Sequence, residues 1–259
     1  MSRPGTAARL LLRRALGLPL LALLGGCDEE PIRVEDQLWL VEQQSQSLIS
    51  LALAEPDCQT RGYLTEQLGP IALDGEERLL AVDVLQRRLV EVQPSDGRIT
   101  RLIDLPMITN PLALTVTPGN RVYLLDEGTR VVRVDPEDGS WSQTWTLQPE
   151  GGWSGLAWLP EAVETANGEL LPAGTLLAWR RQGQQGVLAW LELEEGLALA
   201  HELFGTPELA GLDTSAGRAR IYGLSPTGEI YLLHADLREA QWIQQVPCTP
   251  LEVVDIAIP

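Results

Sequence analysis

Few side chains in this sequence are of the kind that do chemistry. Asp213 and Asp255 stand in similar settings, Gly211-Leu-Asp-Thr214 and Val253-Val-Asp-Ile256, short apolar runs with one carboxylate each. If those runs are neighbouring strands, the two carboxylates approach one another, and oxygen ligands so placed suit a divalent cation. The same placement serves equally for a carboxylate that caps a turn or accepts from a backbone amide. Asn110, Thr115 and Trp153 fall in or beside comparable runs and complete the candidate ligand-binding set. Trp153 follows Gly151-Gly152 and is either an exposed platform for a sugar or peptide or a lid over the core. His201 and His234 are the only histidines. They are expected on different strands, one outermost and one third in order, too far apart for a shared metal or a general base. No G-x-S-x-G elbow, zincin helix, P-loop or paired-cysteine zinc pattern occurs, so no catalytic residue and no metal ligand set is assigned.

The elements that must position these residues come from a repeat. Arg78-Leu-Leu-Ala-Val-Asp-Val-Leu-Gln-Arg-Arg-Leu-Val-Glu-Val-Gln-Pro-Ser-Asp-Gly97 and Arg121-Val-Tyr-Leu-Leu-Asp-Glu-Gly-Thr-Arg-Val-Val-Arg-Val-Asp-Pro-Glu-Asp-Gly139 share one outline: strand, tight turn, strand, Pro-x-Asp-Gly. Asp-Gly supplies the positive φ that a hairpin turn requires. The outline recurs at Leu38, Thr175 and Arg220, at spacings near the length of a propeller blade. Each unit is preceded by a short strand of small and apolar residues: 70–74, 112–117, 154–158, 210–214 and, last, 251–259. The final run is the first strand of a unit whose other strands are Leu38 onward, so the two ends are expected to share a sheet. Outer fourth strands are expected at 62–68, 100–105, 142–147, 197–204 and 240–246, and the segment 161–172 reads as an inserted loop.

The expected fold is therefore all-β, a β-propeller of five four-stranded blades, with six as the alternative, closed by the C-terminal strand joining the N-terminal blade. Phrases such as Arg121-Val-Tyr-Leu-Leu-Asp126 and Val131-Val-Arg-Val-Asp-Pro-Glu-Asp-Gly139 resemble bacterial NHL-like, gluconolactonase-like and YVTN-type propellers over nearly the whole chain after residue 36. For gluconolactonase-like enzymes the resemblance implies one metal held by a Glu, an Asn and an Asp of inner strands. Asn110, Asp213 and Asp255 offer those types in part, but no inner strand supplies a matching central Glu, and Glu252 sits early in its strand. Trp39, Trp158, Trp179 and Trp190 alternate with aliphatics and are expected to pack between blades.

The first residues differ from the rest. Arg3, Arg9, Arg13 and Arg14 precede the apolar run 15–24 and then Gly25-Gly26-Cys27. That order of features is a secretory signal, too short to span a bilayer, and Leu24-Gly25-Gly26-Cys27 resembles the lipobox of bacterial lipoproteins. The resemblance implies cleavage before Cys27 and acylation of its thiol. Residues 1–26 are then a signal peptide, 27–36 a lipidated tether and 37–259 the propeller, held at an extracytoplasmic membrane face. Cys58 and Cys248 lie in an oxidising compartment that permits a disulfide. The expected strand map sets them at opposite ends of a blade, about 20 Å apart, so pairing is left open and would mean that the first blade is misregistered. The net charge of −17, with no Lys at all, repels phosphate backbones and excludes nucleic acid as a partner. The expected partners are the lipid bilayer, through Cys27, and a protein or small-molecule ligand. With blades and an anchor legible and no catalytic set, the expectation is a non-catalytic binding or scaffolding lipoprotein. The alternative is a metal-dependent hydrolase or lyase of the gluconolactonase-like type acting at the central opening, with a divalent cation as cofactor.

Overall fold

The computed structural model describes residues 37–258, apart from 43, 55–56, 75, 166, 184, 216–219, 234–237 and 249–252. Cys27, His234 and Glu252 lie outside the described residues. The described chain is all-β. It opens with β1 (Gln37–Glu42), β2 (Ser47–Ala52) and β3 (Asp57–Tyr63), then makes β4 (Leu68–Leu73), β5 (Leu79–Asp83), β6 (Arg88–Val92) and β7 (Ile99–Asp104). Next come β8 (Pro111–Val116), β9 (Val122–Asp126), β10 (Arg130–Val134) and β11 (Trp141–Gln148). From β12 (Trp153–Trp158) the chain runs through a small hairpin, β13 (Val163–Glu164) and β14 (Leu170–Leu171), into β15 (Leu176–Gln182), β16 (Gln185–Glu194) and β17 (Leu197–Pro207). It ends with β18 (Gly211–Ser215), β19 (Arg220–Leu224), β20 (Glu229–Leu233), β21 (Ala240–Gln245) and β22 (Val253–Ala257).

Each run of four is an antiparallel meander, and the architecture is propeller-like. The sheets β4–β7 and β18–β21 keep sequence order, whereas the first sheet has the order β22-β1-β2-β3. The C-terminal strand thus lies where the repeat leaves a place for it, with Trp39 opposite Ala257 and Leu40 opposite Ile256. The meanders β8–β11 and β12–β17 are joined at their outer strands by a parallel pairing of Thr146 with Leu197 and Leu147 with Ala198, making one eight-stranded sheet. The first strands β4, β8, β12, β18 and β22 flank one another in that order and back to β4, around a common axis.

Burial follows distance from that axis. β5 and β9 are buried along their whole length, which is why Leu-Leu-Ala-Val and Val-Tyr-Leu-Leu read as continuous apolar runs rather than alternating ones. The outer β7 alternates half-buried and exposed residues, as an edge with one solvated face does. Trp39, Trp158 and Trp179 are buried among aliphatics of adjacent sheets, as expected. The Pro-x-Asp-Gly turns also tie one sheet to the next. A Cβ on Gly139, which holds a φ of +73°, would meet the main-chain oxygen of Asp104 at 2.4 Å, so the turn needs glycine for closeness as well as for conformation. Arg101 on β7 secures the same junction through Glu137, at 2.9 Å.

Two expectations are corrected. The outer strand of the first sheet is Asp57–Tyr63 and not 62–68, because Leu68 begins the next sheet's innermost strand, where it is buried. Cys58 accordingly sits within that strand, opposite Leu51, and is joined to Cys248 by a disulfide with Cα atoms 5.9 Å apart. The inserted segment is not all loop: Val163 and Glu164 pair with Leu171 and Leu170, and Leu171 is buried.

Candidate functional site

Asp213 and Asp255 come together at the axis. Both are on innermost strands, and each side chain is bound by the main chain of a neighbouring sheet. Asp213 Oδ2 accepts from the Ile258 N–H at 2.8 Å, and Asp255 Oδ2 accepts from the Ile71 N–H at 3.1 Å. The innermost edge of a meander has no strand beyond it, so its amides need partners from elsewhere, and these carboxylates supply them. Asp255 reaches this position across Gly211, where a Cβ would lie 2.3 Å from Oδ1, and its carboxylate also accepts from the Leu212 amide. Burial pushes Asp213 well above the ordinary carboxylate range, against the pull of the Thr214 and Ile258 amides. Burial does the same to Asp255, with the charge of Asp213 adding to it and the amides of Ile256, Ile71 and Leu212 opposing. Adjacent carboxyls taken out of water disfavour ionisation of each other, so both are raised from the ordinary range.

Thr214, which sequence reasoning passed over, does the same work one junction away. Its hydroxyl donates to the Trp158 carbonyl at 2.6 Å and lies 3.3 Å from the Trp158 amide. The signal was present: Asp-Thr is a polar pair inside an otherwise apolar strand. Thr115 is fully buried on β8, and its hydroxyl has no hydrogen-bond partner among the described residues.

The remaining candidates do not join this pair. Asn110 is exposed, and its amide donates to Asp126 at 2.7 Å. Trp153 is 1% exposed, its indole N–H donating to the Pro149 carbonyl at 2.8 Å and its ring lying under Arg180, so of its two readings the lid over the core is the one the geometry matches. His201 is on β17, stacked on Trp190 and 3.0 Å from Glu192. The metal that the gluconolactonase-like resemblance implies does not fit these residues. Among the described residues no three His, Cys, Asp or Glu side chains cluster to hold an ion, and each axial aspartate has an oxygen committed to an amide.

No protein-family model and no curated protein matches the sequence. Solved structures do. A gluconolactonase of Xanthomonas campestris is similar over 85% of this chain and 82% of its own, with 15% identity and a TM-score of 0.51. A chain of the nidogen–laminin complex is similar over 86% of this chain and 98% of its own, with 10% identity and a TM-score of 0.56. Virginiamycin B lyase of Staphylococcus aureus covers 83% of this chain and 68% of its own length at 11% identity and a TM-score of 0.45. The likenesses to the gluconolactonase and to the chain of the nidogen–laminin complex establish the propeller-like fold. The gluconolactonase likeness also overturns the expectation of a non-catalytic scaffold. That expectation rested on architecture together with the lack of a familiar motif, and the architecture is one that a gluconolactonase has.

Proposed function

We propose that this protein is a hydrolase or lyase of a small uncharged acyl compound, a lactone being the simplest case, served by the Asp213–Asp255 pair. The observation that carries the reading is that pair: two buried carboxyls on neighbouring innermost strands, each accepting from a main-chain amide of the next sheet. A carboxyl whose burial favours the protonated form can hand its proton to a leaving oxygen. In ring opening, water adds to the acyl carbon, the ring C–O bond breaks, the ring oxygen takes the carboxyl proton, and the water's surplus proton restores the acid. The amides of Ile71 and Leu212 stabilise the carboxylate in between. The gluconolactonase fold supports the reaction class, and the acidic balance of the chain, a formal net charge of −17, favours an uncharged substrate over a polyanion.

The same reading takes the architecture as five blades, the eight-stranded sheet counting as two because each half is a separate four-stranded meander. It places the protein outside the cytoplasm on an acylated Cys27 with residues 27–36 as tether, supported by Leu24-Gly25-Gly26-Cys27 and by a disulfide that a reducing compartment disfavours. Cys27→Ser is expected to leave the chain unprocessed or to release it from membranes, in either case without the lipid mass; unchanged membrane partition with no lipid mass on the mature form of the wild type overturns the anchor.

The activity is tested with a panel of lactones and esters, with and without chelator, on the wild type, Asp213→Asn and Asp255→Asn. Turnover of at least one lactone is expected, indifferent to chelator, and lower by about 100-fold in Asp255→Asn while that variant still melts cooperatively. A folded wild type inert across the panel, or an Asp255→Asn variant of unchanged rate, overturns the reading.

A further inference from the structure

A second feature lies on the outer rim, at the seam where the two meanders of the eight-stranded sheet meet. β17 pairs with β11 only from Thr146 to Gln148, and the Thr146 N–H donates to the Gly196 carbonyl at 3.0 Å, at the tip of the β16–β17 hairpin. Between that tip and the stretch of β11 before Thr146 is an open cleft of about 460 Å³, within the range of small-molecule sites. Gln143, Thr144 and Trp145 line one side, and Leu193, Glu194 and Glu195 the other. Trp145 and Leu193 belong to the packing between the two meanders and so back the cleft, while the other four side chains are exposed.

These four side chains are uncommitted. Among the described residues, Gln143, Thr144, Glu194 and Glu195 make no side-chain hydrogen bond and no ion pair. The neighbouring acids of β16 and β17 are taken: Glu192 lies 3.0 Å from His201, and Glu202 binds Arg180 at 2.8 Å. The main chain adds a donor. Amides alternate sides along a strand, so the Thr144 N–H points the same way as that of Thr146, at a place where the ladder to β17 has not yet begun. The cleft thus offers carboxylate acceptors on one side and amide donors on the other. No basic side chain lines it and the chain is strongly acidic, so an anion is repelled. An ammonium group satisfies the carboxylates and leaves the amides without an acceptor. A hydroxyl donates one hydrogen bond and accepts others, so a compound with several hydroxyls meets both sides at once.

We infer that this cleft binds a neutral sugar, its hydroxyls donating to Glu194 and Glu195 and accepting from the Gln143 side-chain amide and the Thr144 N–H, and its C–H face resting on Leu193 and Trp145. The site shares no residue with the axial pair and does not depend on the proposed activity.

The test titrates maltose, cellobiose, lactose and sucrose into the full chain, with butylammonium chloride and sodium butyrate as controls, and follows amide chemical shifts and the heat of binding. At least one of the sugars is expected to bind saturably, with shifts confined to residues 143–146 and 193–197. Added salt is expected to leave that affinity unchanged, since the ligand carries no charge to be screened. Gln143→Ala and Glu195→Gln alter exposed side chains and are expected to leave melting little changed. Each is expected to weaken sugar binding roughly three- to tenfold, the loss of one hydrogen bond. A folded chain that binds none of the four sugars, shifts elsewhere, the same shifts with butylammonium, or unaltered affinity in both variants overturns the inference.

Discussion

Two hairpins of this molecule begin with the same instruction and end differently. Asp83 closes β5 and lies opposite Arg88 at the start of β6; Asp126 closes β9 and lies opposite Arg130 at the start of β10. Both aspartates are buried. Arg130 folds back on its partner, with Nε at 2.9 Å and Nη2 at 2.6 Å from Asp126 Oδ2, and the amides of Thr109 and Asn110 donate to the same carboxylate. Arg88 turns outward instead, to Asp104 at 2.8 Å and Gln86 at 2.6 Å. Asp83 keeps only the turn amides of Leu85 and Gln86 on Oδ1, and its Oδ2 is buried with no partner. The turns differ by one residue, 84–87 against 127–129. That added residue is the physical difference nearest the pair, and it shows that an Asp and an Arg in register do not by themselves make an ion pair.

The largest effect expected from this contrast is at Asp126. Asp126→Ala leaves Arg130 and two amides without their common acceptor and is expected to cost about 3–5 kcal/mol, as breaking a buried pair does. The same change at Asp83 removes an unmet oxygen together with the acceptor of two amides in an exposed turn, and is expected to cost less than half as much. Urea denaturation of the two variants measures both. Equal losses would mean that Asp83 has a partner as strong as Arg130.

Much of this was legible in the sequence, and the parts that were not share a cause. The alternation and the Pro-x-Asp-Gly turns located the meanders, and the apolar run 251–259 pointed to its place beside Leu38, because periodicity reports strands directly. Where periodicity is weak the reading failed. Asp57-Cys-Gln-Thr-Arg-Gly-Tyr63 has no apolar face to mark it as a strand, so the outer edge was placed five residues late and Cys58 with it. Asp213 and Asp255 were legible as an axial pair, since their strands are equivalent. Their bonds to Ile258 and Ile71 were not, because those partners lie across the axis, 45 and 184 residues away in sequence. Thr214 was missed for the same reason: what makes it matter is Trp158, a neighbour supplied by another sheet.

The axial aspartates sharpen the contrast in a second way, being carboxyls held by amides with no arginine at all. Burial raises both, so the folded state binds protons that the unfolded chain releases above the ordinary carboxylate range. Their contribution to stability is therefore complete below about pH 4 and is lost as pH rises through their raised folded values. Asp255→Asn cannot titrate and is expected to flatten the fall of stability as pH rises above the ordinary carboxylate range, whatever it does to stability at a single pH. Thermal melts from pH 5 to pH 9 read the slope. An unchanged slope would assign the titration to other groups and weaken the case for Asp255 as a proton holder.

The smallest effect is the most discriminating. If turn length decides which way the arginine points, replacing Val84–Arg87 by the Glu-Gly-Thr of the other turn brings Arg88 onto Asp83. The graft removes the exposed Leu85 and exchanges a solvated pair for a buried one. Exposed pairs of this kind contribute about 0–1 kcal/mol, so little is given up, whereas a charge-assisted bond to the unmet Oδ2 adds about 1–2 kcal/mol. In the native chain Arg88→Ala is expected to cost less than about 0.5 kcal/mol; in the grafted chain the same substitution is expected to cost several times more, because it now strands a buried carboxylate. Denaturation of the four proteins forms a closed cycle, and its coupling energy isolates the new pair. A coupling of zero would mean that the turn is permissive and that the difference arises from Thr109 and Asn110, whose amides fix Asp126 in the one sheet and have no counterpart on Asp83 in the other.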